Sequence, residues 1–280
     1  MSAIGAMTFG SLTCGPSTKI NISGVDGLDD LPDVLATDVS RPFDHGAWGG
    51  SEYASTRSVV VNLHLRGDDE TDLGSLVEQV SNAFTVGSVD QTLTFRDGQD
   101  TVFARVRRRA LPYNAQALDR FGSCIVEFVC VDPRVYAPAQ SYTAPLATAT
   151  QLGVGFDTGF DVSFGGGGQT SGSATLTNDG NIDGMTEFTI SAGSASLANP
   201  IIEHVGYGFL FLDVILEAGE TITIKPKDRV VLLGAVPRRD IVRIGSTWPV
   251  LPVGGATYRF TSTTTGTNAT MTVTGRSARL

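Results

Sequence analysis

An apolar strand that stops at a proline near mid-chain is the feature that most constrains the fold. Residues 124–131 read Cys-Ile-Val-Glu-Phe-Val-Cys-Val, and Asp132, Pro133 and Arg134 follow directly. Proline has no backbone N–H for a sheet hydrogen bond and pushes the preceding residue toward extended geometry. The strand therefore ends at Asp132, where the chain has to change direction. We place a domain boundary shortly afterwards, which predicts two domains, residues 1–138 and 139–280.

The periodicity of the first half predicts a β-rich domain with one long helix. Alternate positions are apolar in one predicted half-buried strand: Val59, Val61, Leu63 and Leu65. After an acidic turn, apolar residues recur at helical spacing within residues 73–84, and Thr71 or Asp72 is the expected N-cap. Residues 91–109 predict a hairpin, and residues 122–132 predict a further strand.

The second half has the composition and spacing of a β-sandwich. Residues 138–173 are rich in Ala, Thr, Gly and Ser and show little periodicity, so we place a linker at their start, residues 138–150. Beyond them, short apolar segments alternate with turn signals such as Asn178-Asp179-Gly180. Evenly spaced short strands are typical of sandwiches. The predicted fold class is therefore mainly β, with an N-terminal β-rich domain that has one helix and a C-terminal β-sandwich.

The charge balance argues against a nucleic-acid-binding protein. The chain of 280 residues carries 29 acidic and 20 basic side chains, a formal net charge of −9 at pH 7. Contact with phosphates depends on a basic surface, so we expect no sequence-specific binding to nucleic acid. The sequence has no run of 18 or more apolar residues, and residues 1–15 lack the features of a secretory signal. We therefore expect no membrane insertion, and synthesis in a cytoplasm.

The titratable residues do not form a pattern typical of an enzyme. The histidines His45, His64 and His204 each lack a second ligand or a nucleophile at a supporting spacing. The glycine run at residues 165–168 is not followed by the Gly-Lys-Ser/Thr of a phosphate loop. The three cysteines lack a Cys-x-x-Cys spacing, and we expect them to be buried and reduced. The sequence therefore predicts no enzyme, no cofactor and no bound metal.

A basic stripe is the most distinctive polar feature. Arg105, Arg107 and Arg109 alternate with Val106 and Arg108, so on a regular strand the three would project from one face. One interpretation is a solvated strand face that acidic neighbours partly neutralise. The other is a contact with a second subunit or a partner protein, because the planar guanidinium suits carboxylate partners.

Several segments together resemble the distal tail proteins of long-tailed bacteriophages, a family that also includes proteins described as minor tail proteins. The segments are the Asp-Pro-Arg-x-Tyr strand end at residues 132–136, the arginine-rich strand at 103–109, and residues 178–180, 217–220 and 246–254. They follow one another in the family's order through both halves. Members of this family are structural and form a ring in the tail-tip hub, between the tail tube and the adsorption apparatus.

The resemblance implies a non-enzymatic virion protein at the tail tip. Residues 1–138 would form the ring, as a homohexamer, and residues 139–280 would form a galectin-like or carbohydrate-module-like sandwich outside it. Its partners would be the tail tube protein on one side and a tail-associated or adhesin protein on the other. The stripe of Arg105, Arg107 and Arg109 would then be a candidate contact with a neighbouring subunit or a tail partner.

Two other functions stay open at this point. The second domain could itself bind host carbohydrate, with Trp248, Tyr207 and Tyr258 as an aromatic platform for a sugar ring, although Trp and Tyr more often fill cores or cover loops. The chain could also be a tail-associated hydrolase of the cell wall, for which the sequence shows no nucleophile–base arrangement.

Overall fold

The computed structural model of the chain describes residues 5–111, 120–147, 172–263 and 268–280. It divides into two compact units: unit 1 is Met1–Pro138 with Arg279–Leu280, and unit 2 is Ala139–Ala278. The described residues form antiparallel strands and a single α-helix, so the predicted mainly β fold class with one helix is confirmed. The sequence-based boundary assigns the C-terminus to the second domain, whereas Arg279 belongs to unit 1 and contacts Asp29 and Asp100 there at 3.2 and 3.0 Å.

Unit 1 is built from two sheets that share one strand. Its elements are β1 (Met7–Phe9), β2 (Leu12–Cys14), β3 (Ile20–Asp26), β4 (Val34–Ala36), β5 (Val39–Ser40), β6 (Ala47–Trp48), β7 (Glu52–Ala54), β8 (Arg57–Arg66), α1 (Glu70–Ala83), β9 (Gln91–Phe95), β10 (Asp100–Ala110), β11 (Phe121–Cys130) and β12 (Val135–Tyr136). One sheet has the strand order β3-β8-β11-β10 and the other β2-β1-β9-β10, so β10 runs through both. The predicted hairpin of β9 and β10 is confirmed.

The core of unit 1 is lined by these sheets and α1. The alternate apolar residues of β8 are at most 1% exposed, which confirms the predicted strand: Val59, Val61, Leu63 and Leu65. Phe128 of β11 is also buried, and its ring lies 5.1 Å from that of Phe9 and 5.7 Å, edge to face, from that of Phe84 after α1. Aromatic pairs at these separations add to the stabilisation that comes from burial of apolar surface.

Helix α1 is confirmed, but its N-cap is Asp69 rather than Thr71 or Asp72. The Asp69 carboxylate accepts a hydrogen bond from the Asp72 N–H at 2.8 Å, and the Asp72 carboxylate accepts one from the Asp68 N–H at 2.8 Å. The first bond satisfies an N–H group that the start of a helix leaves without an intrahelical partner, and the second ties the preceding turn to the first turn of the helix. The helix therefore begins directly after the acidic turn.

Unit 2 is a β-sandwich, as the spacing of short strands predicts. Its strands are β13 (Gln140–Pro145), β14 (Ser173–Leu176), β15 (Ile182–Ser191), β16 (Leu197–Ala198), β17 (Ile201–His204), β18 (Gly208–Phe211), β19 (Ile215–Leu216), β20 (Thr221–Lys225), β21 (Val230–Leu233), β22 (Val236–Pro237), β23 (Ala256–Thr261) and β24 (Thr270–Arg279). A sheet of order β13-β24-β15-β20-β21-β22 and a sheet of order β14-β23-β17-β18 enclose one apolar core.

Asn178 accounts for one of the sequence motifs of this half. Its buried amide donates to the Ile182 and Leu251 carbonyls at 2.9 and 3.1 Å. Its Oδ1 accepts from the N–H groups of Gly180 and Ala278 at 3.1 and 3.2 Å. A Cβ on Gly180 would lie 1.7 Å from the Ala278 carbonyl oxygen, so only glycine fits there. The Asn178-x-Gly180 pair thus joins the start of β15, a loop and the last strand of unit 2.

Candidate assembly interface

An extended hairpin with two short strand ladders is a strongly exposed apolar feature of unit 1. We define the arm as residues 31–54, in which β4 pairs with β7 and β5 pairs with β6. Among the described residues, neither ladder joins another strand. Large side chains along the arm are about half exposed or more: Leu31, Val34, Leu35, Val39, Phe43, Trp48 and Tyr53. Isolated two-stranded hairpins are marginally stable in water, so such a surface is typical of a segment that contacts another molecule.

A buried arginine holds the chain at the point where the arm begins. Arg57 is 2% exposed, and its Nε donates to the Pro133 carbonyl at 2.7 Å. Its Nη1 donates to the carbonyls of Gly27, Leu28 and Asp30. Burial lowers the pKa of Arg57, because removal from water disfavours the charged form of the guanidinium. We call residues 27–30, Arg57 and Pro133 the root of the arm.

Two further features fix this root. The Ser55 N–H donates to the Asp33 carbonyl at 2.7 Å and closes the base of the arm. Gly27 has a φ of 82°, and a Cβ at this position would lie 2.1 Å from the Ser58 carbonyl oxygen. Glycine is the residue that tolerates both the left-handed backbone and the close approach. The arm therefore leaves unit 1 from a tightly packed turn.

The Asp-Pro-Arg-x-Tyr strand end supplies one of the carbonyls that Arg57 binds at the root. Asp132 accepts a hydrogen bond from the Tyr136 hydroxyl, and the Tyr136 ring is completely buried. Tyr136 also pairs with Thr101 of β10, so the chain after Pro133 is held against the sheet. The Pro133 carbonyl is thereby presented to Arg57. The motif that marks the sequence most clearly thus has a structural role, and nothing in the sequence marks Arg57 as its partner.

The predicted basic stripe on one strand face is wrong, because β10 contains a β-bulge. Arg105 pairs with Val129 and Val106 with Phe128, but the next registered pair is Arg108 with Glu127. Arg107 is the extra residue of the bulge, which reverses the alternation of the side chains beyond it. Arg109 consequently pairs with the buried Val126 and projects from the same face as that residue, where it is itself exposed, whereas Arg105 lies on the opposite face.

The four arginines of this strand have different partners. Arg105 forms an ion pair with Asp90 at 3.3 Å. Arg109 donates to the carbonyls of Ser81 and Phe84, at the C-terminal end of α1. The last turn of α1 has no basic residue, so Arg109 supplies the cation that favours a helix C-terminus. The remaining two, Arg107 and Arg108, are exposed, and within the described ranges neither forms an ion pair. Arg108 is a candidate that the alternation argument missed.

The bulged half of β10 also forms a free sheet edge. The last registered pair with β9 joins Gln91 to Ala104. Within the described residues, positions 105–110 pair only with β11, so the outer side of this segment has no strand partner. β3 is the opposite edge of the same four-stranded sheet, and the chain passes from β3 directly into the root of the arm.

The predicted sugar platform is not formed by its three aromatic residues. Tyr258 is fully buried, its hydroxyl donates to the Val250 carbonyl, and its ring packs edge to face on Phe188 at 5.0 Å. Trp248 is half-buried and packs against the core of unit 2. Only Tyr207 is largely exposed. The prediction is wrong for Tyr258, because this residue belongs to the inward-facing positions of β23.

The histidines and cysteines are the other candidate groups. His45 and His64 are exposed, while His204 is buried and stacks on Tyr207 with 4.3 Å between ring centroids. The three cysteines are unbridged and buried, and burial raises their pKa values. Within the ranges that the structure describes, no group of His, Cys, Asp and Glu has the geometry of a metal site, and no helix is long and apolar enough to span a membrane. The glycine run at residues 165–168 lies outside these ranges.

Comparison with known proteins gives a fold but no sequence relative. No family model matches the chain, and no curated protein has a significantly similar sequence. Among solved structures, the Dit (gp 19.1) protein of phage SPP1 matches with a TM-score of 0.66, 15% identity and coverage of 98% of this chain and 99% of that chain. Its description is a paradigm of the hub adsorption apparatus in phages that infect Gram-positive bacteria.

A chain of the phage P2 baseplate, in its activated conformation with Ca, matches with a TM-score of 0.54, 8% identity and coverage of 92% of this chain and 91% of that chain. The same baseplate with Sr gives the same values. Both similarities extend over nearly the whole length of the compared chains, so they include unit 1 and unit 2. The chain therefore has the fold of phage Dit hub proteins, and the predicted resemblance to distal tail proteins is confirmed.

Proposed function

We propose that this chain is a structural virion protein of a long-tailed phage, a distal tail protein whose copies form a ring at the tail tip. The observation that carries the proposal is the arm, which exposes large apolar side chains and, within the described residues, joins neither sheet of unit 1. Burying such surface against another copy is favourable by about 25 cal/mol for each Å² removed from water. The hub and baseplate proteins that share the fold support the same role.

The finer features of the proposal come from the family resemblance. Six copies would close the ring through unit 1, with the tail tube protein on one side and a tail-associated or adhesin protein on the other. Unit 2 would be a galectin-like domain outside the ring. The protein would be made in the cytoplasm of the host and would have no catalytic role, which is consistent with the burial of its cysteines.

Assembly of the full chain tests the proposal directly. We expect a closed cyclic oligomer by light scattering and electron microscopy, at high protein concentration or together with the tail tube protein. A chain that is monomeric at every concentration, and that forms no ring in assembled tails, would contradict it. Release of sugar or peptide from host cell wall, lost on substitution of one Asp, Glu or His, would instead support the hydrolase.

We also propose that residues 1–138 and 139–280 are separate domains. Unit 2 has its own core, and β13 pairs with β24 over six residues, so an independent fragment has to begin at Ala139. We expect the 139–280 fragment to be a folded monomer with one cooperative unfolding transition by circular dichroism. A fragment that is unfolded while the full chain is folded would place the boundary elsewhere.

Host carbohydrate binding by unit 2 stays a second candidate, on a different pair of rings from the predicted platform. Phe209 and Phe211 stack with 5.6 Å between ring centroids on β18, and Phe209 is exposed. The Arg243 guanidinium lies 5.5 Å from the Phe211 ring and forms an ion pair with Asp213. A glycan array with the full chain would support this candidate if binding is lost on Phe209→Ala, and no binding to any glycan would remove it.

A further inference from the structure

The arm and the free strand edge lie at opposite ends of one sheet. In the order β3-β8-β11-β10, the arm follows β3 at one edge, and residues 105–110 of β10 form the other edge. A contact between two different patches of identical subunits is head-to-tail, and such contacts close into rings when the rotation allows. Each copy therefore carries both surfaces that such a contact needs, the arm and the free edge of β10.

The charges of the two patches are complementary. The arm has four carboxylates, Asp33, Asp38, Asp44 and Glu52, and one arginine, Arg41. The edge of β10 presents Arg107 and Arg108, which are exposed and form no ion pair within the described residues. Arginine is suited to carboxylate partners because its planar group can donate two parallel hydrogen bonds. Opposite charges on facing surfaces also fix which partner and which register are accepted.

Apolar side chains lie beside these arginines. Ile125 pairs with Ala110 and is 42% exposed, and Phe121 at the start of β11 is 54% exposed. Both lie on the strand next to the free edge. Exposed apolar groups with a charged rim are typical of a protein-binding surface. The surface therefore offers contacts for the apolar residues of the arm as well as for its carboxylates.

We infer that the arm of one copy docks against the β10 edge of the next copy, with its carboxylates on Arg107 and Arg108 and its apolar side chains beside Ile125 and Phe121. This inference rests on the proposed ring and specifies which two surfaces of unit 1 meet. The competing role for arginines on an edge strand is protection, since charged side chains on free edges prevent strand pairing with other molecules. Protection requires no second copy and no arm, so the two roles predict different results.

Two variants separate the halves of the contact. The edge variant carries Arg107→Glu and Arg108→Glu, and the arm variant replaces residues 35–53 with Asn-Gly, a two-residue turn that can join the registered pair of Val34 and Ala54. The matched control carries Arg229→Glu and Arg239→Glu, which change the charge equally at exposed positions of unit 2. Circular dichroism and thermal unfolding of each variant verify that it is folded.

We expect wild type and control to assemble, and the edge and arm variants to be folded monomers whose association is weaker by about 100-fold or more. A mixture of the two variants provides the decisive test. One copy then supplies an intact arm and the other an intact edge, so they should form a 1:1 heterodimer that grows no further. A contact between two arms gives no such complex.

The possible failures are distinguishable by light scattering. A monomeric wild type contradicts the proposed ring and, with it, the docking. An edge variant that assembles as well as wild type leaves the ring standing, overturns the docking and supports edge protection. Two monomeric variants that do not combine when mixed also overturn the docking, because either the arm or the edge then binds a different surface.

Discussion

The arm and its root are adjacent in the chain and opposite in environment. At the root, one guanidinium that is 2% exposed donates hydrogen bonds to four carbonyls and ties the start of the arm to the Pro133 strand end. In the arm, large apolar side chains are in contact with water, and Phe43 is completely exposed. The difference indicates that the protomer stabilises the position from which the arm departs but not the arm itself. In the proposed ring, contact with another copy would stabilise the arm.

The root should give the largest effect on the stability of the protomer. Arg57→Ala removes the guanidinium that donates to four carbonyls, three of which are in the turn before the arm. We expect the free energy of unfolding to fall by about 3–5 kcal/mol, because buried acceptors without partners and lost bonds to a charged group are both costly. Urea unfolding followed by circular dichroism measures this change.

The matched control for the root is Arg239→Ala, since that arginine is exposed and lies in unit 2. It should change the free energy of unfolding by less than about 0.5 kcal/mol. Equal effects of the two substitutions would show that Arg57 is not the group that holds the root. A destabilised Arg57→Ala chain that still assembles would show that the arm functions without a fixed departure point.

Asn178 of unit 2 is, like Arg57, a buried polar side chain with hydrogen bonds to several backbone groups, but it does not hold the arm. Asn178→Ala removes four hydrogen bonds from a buried site, and we expect a loss of about 2–4 kcal/mol in urea unfolding. The exposed Asp183→Ala serves as its control. Assembly should be unaffected under conditions in which the variant is folded. An assembly defect at full folding would mean that unit 2 contributes to the ring.

The sequence predicts those parts of the molecule that depend on periodic burial. The alternation of β8 and the helical spacing of α1 are visible because one face of each element is apolar and the other polar. The end of β11 is visible because proline has a fixed effect on the backbone. These features depend on local chemistry, and the structure has all three.

The remainder depends on contacts between distant residues. The sequence does not distinguish a buried arginine from an exposed one, so it does not predict the contacts of Arg57 with residues 27–30 and Pro133. The bulge at Arg107 lies in a run of three arginines, where no apolar residue reports which face is inward. Tyr258 is compatible with either face of a strand. The arm lacks a core, so it has no periodicity that a pattern could reveal.

His204 contrasts with the root, because it is a buried polar side chain without partners. It is 2% exposed, and neither ring nitrogen has a hydrogen bond. Its ring contacts the rings of Tyr207 and Tyr258, and burial lowers the pKa of its imidazole. The neutral form is therefore favoured in the folded state. The resulting stability is present above the unfolded pKa of about 6.5 and is lost as the pH falls below it.

We expect the free energy of unfolding to decline by up to about 1.4 kcal/mol per pH unit below that value, beyond the decline from carboxylates. His204→Phe should flatten this part of the profile, while the exposed His64→Gln should leave it unchanged. Unfolding in urea at pH 7, 6 and 5 gives the change in the free energy of unfolding with pH for wild type and for each of the two variants. Parallel slopes for wild type and His204→Phe would show that His204 does not titrate differently in the folded and unfolded states.

The arm should give the smallest effect on stability and so provides the sharpest comparison with its root. Phe43→Ser and Trp48→Ser alter side chains that are 100% and 55% exposed. Trp48 contacts Arg41, whose guanidinium lies 5.8 Å from the ring, but an exposed contact of this kind contributes at most about 1 kcal/mol.

We expect the free energy of unfolding of the double variant to lie within about 1 kcal/mol of the wild-type value, because little apolar surface is buried at either position in the protomer. Assembly by light scattering should nevertheless be lost, since in the proposed ring these side chains are buried against another copy. A double variant that assembles normally would show that the exposed rings of the arm do not contribute to the ring, and a strongly destabilised one would show that the arm packs on its own protomer.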